Sequence, residues 1–161
     1  MQVFDSWAGE LGPREFGVFS LPFLVQIATR VKHALGNDAV PMIVFARGAH
    51  YALEELAQSE YDGMSLDWTI DPESARKRTA GNITLQGNAD PCLLYGNKDT
   101  IREYVRNMLQ GFGTKERLIA NLGHGMYPGN FKKLLKKDHD PEHLKMYLEA
   151  IRDISLEMNK D

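Results

Sequence analysis

The sequence predicts an α/β protein of about five parallel strands alternating with helices. Three observations carry this reading. Short apolar runs bounded by turn residues alternate along the chain with longer stretches whose apolar residues recur at 3/4 spacing. The run Pro41-Met42-Ile43-Val44-Phe45 is apolar without interruption, the pattern of a strand buried on both faces, as a parallel sheet demands. Each run is followed by glycine or by polar residues where the chain must turn into the next helix.

The elements follow in order. Residues 2–7 form a strand that closes at Ala8-Gly9. Residues 19–35 place Leu21, Leu24, Val25, Ala28, Val31, Lys32 and Leu35 along one helical stripe, with Gly36 and Asn37 as the stop signal. Residues 41–45 are the second strand, 51–56 are helical, and 63–67 are the third strand. Asp71 followed by Pro72 is a capping residue before a proline at the first helical position, so a helix starts there. Residues 83–86 are the fourth strand, breaking at Gly87. Asp99 caps a helix running to about Gln110, with Ile101, Tyr104, Val105 and Met108 on one side. Residues 117–121 are the fifth strand. Asp140-Pro141-Glu142 opens a last helix carrying Leu144, Tyr147, Leu148, Ile151 and Ile154. No repeat or low-complexity stretch divides residues 1–161, which read as one domain. The basic, partly apolar insertion at 129–139 reads as a solvated loop in preference to an amphipathic membrane or partner contact.

Composition narrows the function classes. Of 161 residues, 43% are hydrophobic and 25% charged, ordinary values for a globular protein. A net charge of −3 supplies no global basic field for nucleic acid. The longest apolar runs fall far short of the roughly 20 residues that span a bilayer, and the N-terminus has no basic-then-apolar leader pattern. Cys92 is the single cysteine, so no intramolecular disulfide forms, and a reducing, cytoplasmic setting is expected.

Parallel α/β folds gather functional groups at the C-terminal ends of their strands. Here those ends read Asp5-Ser6-Trp7, Arg47-Gly48-Ala49-His50, Asp67-Trp68, Gln86-Gly87-Asn88-Ala89-Asp90-Pro91 and Asn121-Leu122-Gly123-His124-Gly125. Asp, Asn and Gly also build ordinary loops, so each ending alone is weak evidence. Asp67 fits a helix cap and a ligand of loop amides equally, and His50 reads as a partly exposed helix-start residue. Neither the histidines nor Cys92 has zinc-ligand spacing, and no phosphate-cradling loop or nucleophile elbow is present. Gly123-His124-Gly125 stands out: flanking glycines let backbone approach a ligand while the imidazole projects from a strand end. A structural loop histidine explains the motif as well.

Leu118-Ile119-Ala120-Asn121-Leu122-Gly123-His124-Gly125-Met126-Tyr127-Pro128 closely resembles the C-terminal signature of the uroporphyrinogen decarboxylases, and Asp140-Pro141-Glu142-His143 resembles the motif that follows it. Phe4-Asp5-Ser6-Trp7-Ala8-Gly9, Ala52-Leu53-Glu54-Glu55-Leu56, Leu66-Asp67-Trp68 and Leu85-Gln86-Gly87-Asn88-Ala89-Asp90-Pro91 match in the family's order. The resemblance implies an incomplete (β/α) TIM-type barrel, since a whole one needs about 250 residues. It also implies decarboxylation of uroporphyrinogen III to coproporphyrinogen III in haem biosynthesis, without metal or organic cofactor. The tetrapyrrole is the implied partner. By the same resemblance Phe4 lines the macrocycle's pocket, and Ser6 and His124 contact substrate carboxylates.

Departures from the family pattern bear on activity. The family's catalytic aspartate, its carboxylate-binding arginines and its pocket tyrosine belong to barrel segments with no counterpart here. Trp7 stands where many relatives carry histidine, and residues 129–139 intervene between two family motifs. The expectation is a protein weakly active or inactive alone; the alternative is a truncated pseudoenzyme that binds tetrapyrroles or a partner protein without turnover. A part-barrel leaves sheet edges unpaired, so a homo-oligomer is expected.

Overall fold

The computed structural model describes residues 1–113, 116–126 and 141–159. The strands are β1 (Gln2–Asp5), β2 (Ile43–Ala46), β3 (Gly63–Ser65), β4 (Thr84–Ala89) and β5 (Leu118–Leu122). They form one parallel sheet in the order β1-β2-β3-β4-β5. The helices are α1 (Pro13–Phe19), α2 (Leu21–Leu35), α3 (Leu53–Ala57), α4 (Pro72–Arg78), α5 (Lys98–Phe112) and α6 (Pro141–Met158). Spatial order equals chain order, so each crossover steps to the adjacent strand. A doubly wound sheet reverses its order part-way, whereas a barrel keeps stepping in one direction. The fold is α/β, with the architecture of part of a TIM-type barrel.

The pleat sends alternate residues to opposite faces. On one face Val3, Val44, Met64, Leu85 and Leu118 lie side by side in register. Val44, Met64 and Leu85 are fully buried beneath the helices, together with Phe16, Leu24, Ile101, Val105, Phe112, Tyr147 and Ile154. Each such side chain contributes roughly 1.5–3 kcal/mol of transfer free energy. On the other face the row Phe4, Phe45, Ser65, Gln86 and Ile119 runs across all five strands. This is the face a closed barrel would enclose; Phe4 remains 65% and Ile119 44% exposed.

Several elements differ from expectation for identifiable reasons. Helix α1, unforeseen in the sequence, starts with Pro13 in its first turn and buries Phe16, which packs edge-on against the Tyr51 ring at 5.6 Å. β1 stops at Asp5 because Ser6 and Trp7 turn into a short 3₁₀ segment, Ala8–Glu10. β4 runs on through Gly87 to Ala89, where Gly87, Asn88 and Ala89 pair with Ala120, Asn121 and Leu122. Asn97, not Asp99, caps α5, its Oδ1 accepting from the Thr100 N–H at 2.9 Å. The Asp71-Pro72 start of α4 is as expected, with Asp71 Oδ2 accepting from the Ser74 N–H at 2.7 Å. In α6, Ala150 completes the buried ridge with Tyr147 and Ile154, while Leu148 is exposed. The insertion at 129–139, and Asp140 before α6, lie outside the described residues.

Candidate functional site

The loops leaving the strands are tied together around Asp67. Its side chain is 2% exposed. It accepts hydrogen bonds from the Gly48 N–H at 2.6 Å, the Thr69 N–H at 2.9 Å, the Thr69 hydroxyl and His50 Nε2 at 3.1 Å. Burial by itself pushes a carboxyl group up; here the donors from His50, Thr69 and Gly48 outweigh it and hold Asp67 well below the usual carboxylate range. His50 Nε2 also lies 2.6 Å from Thr69 Oγ1. Since the Thr69 hydroxyl proton goes to Asp67, that oxygen accepts from the imidazole. Asn88 adds β4 to the cluster by donating to the carbonyls of Asp67 (3.0 Å) and Ile70 (2.7 Å). Asp67 is thus a ligand of loop amides, and Asp71 is the cap.

Gly123 completes the assembly from β5. Its N–H donates to the Ala89 carbonyl at 2.7 Å. A Cβ at this position would sit 2.6 Å from the Trp68 nitrogen and 3.0 Å from Asp67 Cα. The close approach that requires glycine is therefore to the β3 exit loop, while no atom of the described residues lies within 4 Å of a Cβ at Gly125. This contact seats His124 between two aromatic rings, perpendicular to Trp68 with centroids 6.2 Å apart and tilted against Phe45 at 6.4 Å. His124 Nδ1 lies 3.2 Å from the Gly125 carbonyl.

β1 contributes Phe4, edge-on to Phe45 at 6.1 Å, and the exposed Ser6 just past its end. Phe4, Ser6 and His124 all line one cavity of about 590 Å³, with Gln2, Phe45, Ser65, Gln86 and Asn121 among the other walls. The phenyl rings supply an apolar surface; the hydroxyl, amides and imidazole supply hydrogen bonds. Among the described residues no carboxylate and no lysine or arginine lines it. The carboxylates nearest in sequence to the strand ends are engaged elsewhere. Asp5 accepts from the Ser20 hydroxyl at 2.6 Å, Asp67 holds the loops, and Asp90 Oδ1 accepts from the Cys92 N–H at 2.8 Å. A second cavity of about 200 Å³ lies beside the first, shares Ser6 with it and includes Arg47 and Trp68. Arg47 and Gln86 stand among the strand-end residues that the sequence points to, without a role assigned to either, and Phe45 is a residue that sequence reasoning misses; period-two alternation within β2 and β4 is the signal that places Phe45 and Gln86 on the open face. Among the described residues no cluster of three His, Cys, Asp or Glu side chains could hold a metal ion.

The profile of the family described as Uroporphyrinogen decarboxylase (URO-D) matches residues 1–154. The chain belongs to the uroporphyrinogen decarboxylase family. It is 54% identical over 163 aligned residues to uroporphyrinogen decarboxylase of Danio rerio, covering 99% of this chain and 42% of that protein. The enzyme of the same name from Salinibacter ruber is 49% identical, over 98% of this chain and 41% of its own length. The one from Homo sapiens is 46% identical, over 94% and 39%. The chain therefore spans about two-fifths of the length of these curated relatives. A solved structure of a methyltransferase from Methanosarcina mazei superposes with a TM-score of 0.73 at 19% identity, covering 94% of this chain and 41% of that one. At that identity the likeness is one of fold, which does not carry function. No described helix is long and apolar enough to cross a membrane.

Proposed function

We propose that this chain is a uroporphyrinogen decarboxylase-like protein whose cavity receives a tetrapyrrole, and that by itself it is weakly active or inactive. The observation that carries the proposal is the convergence of Phe4, Ser6 and His124 on one cavity at the strand ends. Phe4 offers an exposed ring to the macrocycle, while the Ser6 hydroxyl and His124 imidazole are donors for carboxylate arms. Hydrogen bonds to ionised acceptors are the stronger kind.

Turnover asks for more. Loss of CO2 leaves an electron pair on carbon, which a protonated pyrrole can absorb if a carboxylate steadies the cation. Among the described residues no carboxylate faces the cavity, and Asp5, Asp67 and Asp90 are committed elsewhere. A missing preorganised electrostatic group typically costs about 2.7–4 kcal/mol of transition-state stabilisation. The same observation favours a second reading, a truncated pseudoenzyme that binds tetrapyrroles or a partner protein without turnover. Both readings place the protein in the cytoplasm as one domain without metal or organic cofactor and without nucleic-acid partners.

Titration of uroporphyrin, the stable oxidised form of the substrate, against the purified chain by porphyrin fluorescence tests the proposal. Saturable binding is expected, weakened about tenfold or more in the Ser6→Ala, His124→Ala double variant, since each hydrogen bond to a charged group is worth about 1.5–3 kcal/mol. Folded protein that binds no uroporphyrin would overturn it.

The open face also bears on assembly. β1 and β5 each pair on one side within the described sheet, and Phe4 and Ile119 are exposed between them. Unpaired edges and uncovered apolar surface favour association. Light scattering on the purified chain is expected to give a dimer or larger species; a monodisperse monomer would count against homo-oligomerisation.

A further inference from the structure

We infer that the smaller cleft, between the exits of β1, β2 and β3, is a second carboxylate-binding subsite whose cation is Arg47. The inference rests on the tetrapyrrole reading of the larger cavity and extends it to an adjoining arm of the same ligand.

The cleft has a volume of about 200 Å³ and is lined by Ser6, Trp7, Glu10, Arg47, Trp68 and Thr69, among others. Arg47 directly follows β2 and its backbone is fixed at both ends. Its N–H donates to the Asp5 carbonyl at 3.1 Å, and its carbonyl accepts from the Gly9 N–H at 2.7 Å. A Cβ on Gly9 would stand 2.9 Å from Gly48 Cα, so the β1 and β2 exit loops are pressed together and Arg47 has little freedom to drift. Its guanidinium lies over the Trp68 ring, with Cζ 5.9 Å from the centroid. Such stacking orients the planar fork and leaves its N–H edge available for two oxygens of a carboxylate.

Charge balance points the same way. Among the described residues Arg47 forms no ion pair. Asp67, the buried acid of the cleft, is saturated by Gly48, Thr69 and His50. Glu10 also faces the cleft but is solvent-exposed, so its repulsion of an anion is screened. The two cavities adjoin through Ser6, which lines both, and through Trp68, which meets Arg47 and His124. A ligand with several carboxylates on one ring can therefore set one arm against Ser6 and His124 and the next against Arg47. No lysine or arginine lines the larger cavity among the described residues, which makes Arg47 the cation that the site offers.

The uroporphyrin titration, repeated at several salt concentrations with the full chain, tests this. Arg47→Ala is expected to weaken binding about tenfold or more and to flatten its salt dependence. Arg47→Gln, which keeps most of the stem and loses the charge, is expected to do the same and covers the case in which the alanine variant does not fold. Arg47→Lys is expected to recover part of the loss, because an ammonium keeps the charge but not the fork. Glu10→Gln is expected to tighten binding slightly. Folded Arg47 variants that bind as the parent does, with the same salt dependence, would overturn the subsite. If the Ser6→Ala, His124→Ala variant still weakens binding in that experiment, the larger-cavity reading survives; absence of binding by the parent chain would overturn both.

Discussion

Asp67→Ala is expected to lower the stability of the fold by about 3–4 kcal/mol, read as a reduced urea midpoint at unchanged slope. The Gly48 and Thr69 N–H groups both end on this carboxylate, as do the Thr69 hydroxyl and the His50 imidazole. Truncation removes the acceptor that all four donors share; an unsatisfied buried group costs about 1–3 kcal/mol, offset here in part by relaxation and by water reaching the exposed Gly48 and Thr69. Asp67→Asn keeps one oxygen and loses the charge, so a smaller loss is expected. The two variants also differ from the parent in acid. Because the folded-state pKa of Asp67 is depressed, its ionised form stabilises the protein fully above the unfolded carboxylate value near 3.9, and that contribution disappears as pH falls below about 4. The stability gap between parent and Asp67→Asn is expected to be constant near neutrality and to narrow from about pH 4 downward. A gap that widens in acid would mean that Asp67 is not held as a carboxylate.

Gly123→Ala is expected to cost about 2–3 kcal/mol by overpacking, and to weaken uroporphyrin binding as well. The added Cβ would stand 2.6 Å from the Trp68 nitrogen and 3.0 Å from Asp67 Cα. Those neighbours are backbone, so no side chain can swing aside. Gly123 itself is held by its hydrogen bond to Ala89 at 2.7 Å, and the strain must displace β5's exit from β3's. His124 is the next residue, so its placement against Trp68 and Phe45 moves with it. Gly125→Ala is the control. Among the described residues nothing lies within 4 Å of a Cβ there, and a change within about 0.5 kcal/mol is expected. Equal melting shifts for the two variants would remove the packing argument.

Much of the fold was legible because its signals were local. The uninterrupted apolar run before Arg47 marks β2, and Asp71-Pro72 starts α4 by itself. Helix α1 was not legible, since it buries a single large residue, Phe16, and carries Gly17 within it. The break expected at Gly87 did not occur because pairing with β5 over Gly87, Asn88 and Ala89 outweighs the local preference. The candidate site divides in the same way. Phe4, Ser6 and His124 came from motif resemblance, and only the tertiary structure shows that they share a cavity. The stacking of Arg47 on Trp68 joins the ends of neighbouring strands that are distant in sequence, and no spacing rule reaches it. The glycines around His124 suggest room for a ligand; at Gly123 the structure gives that room to the backbone of Asp67 and Trp68.

The central proposal is that the cavity lined by Phe4, Ser6 and His124 receives a tetrapyrrole, and that the chain alone decarboxylates it poorly because no carboxylate among the described residues faces that cavity. Anaerobic incubation of the folded chain with uroporphyrinogen, followed by oxidation and chromatographic separation of the porphyrins, tests it most directly. The expected result, from protein that binds uroporphyrin, is no coproporphyrin or a trace formed at least about a hundredfold more slowly than by a full-length relative. Coproporphyrin produced at a rate comparable to that relative, and lost in the Ser6→Ala, His124→Ala variant, would contradict the claim and place a competent carboxylate within this chain.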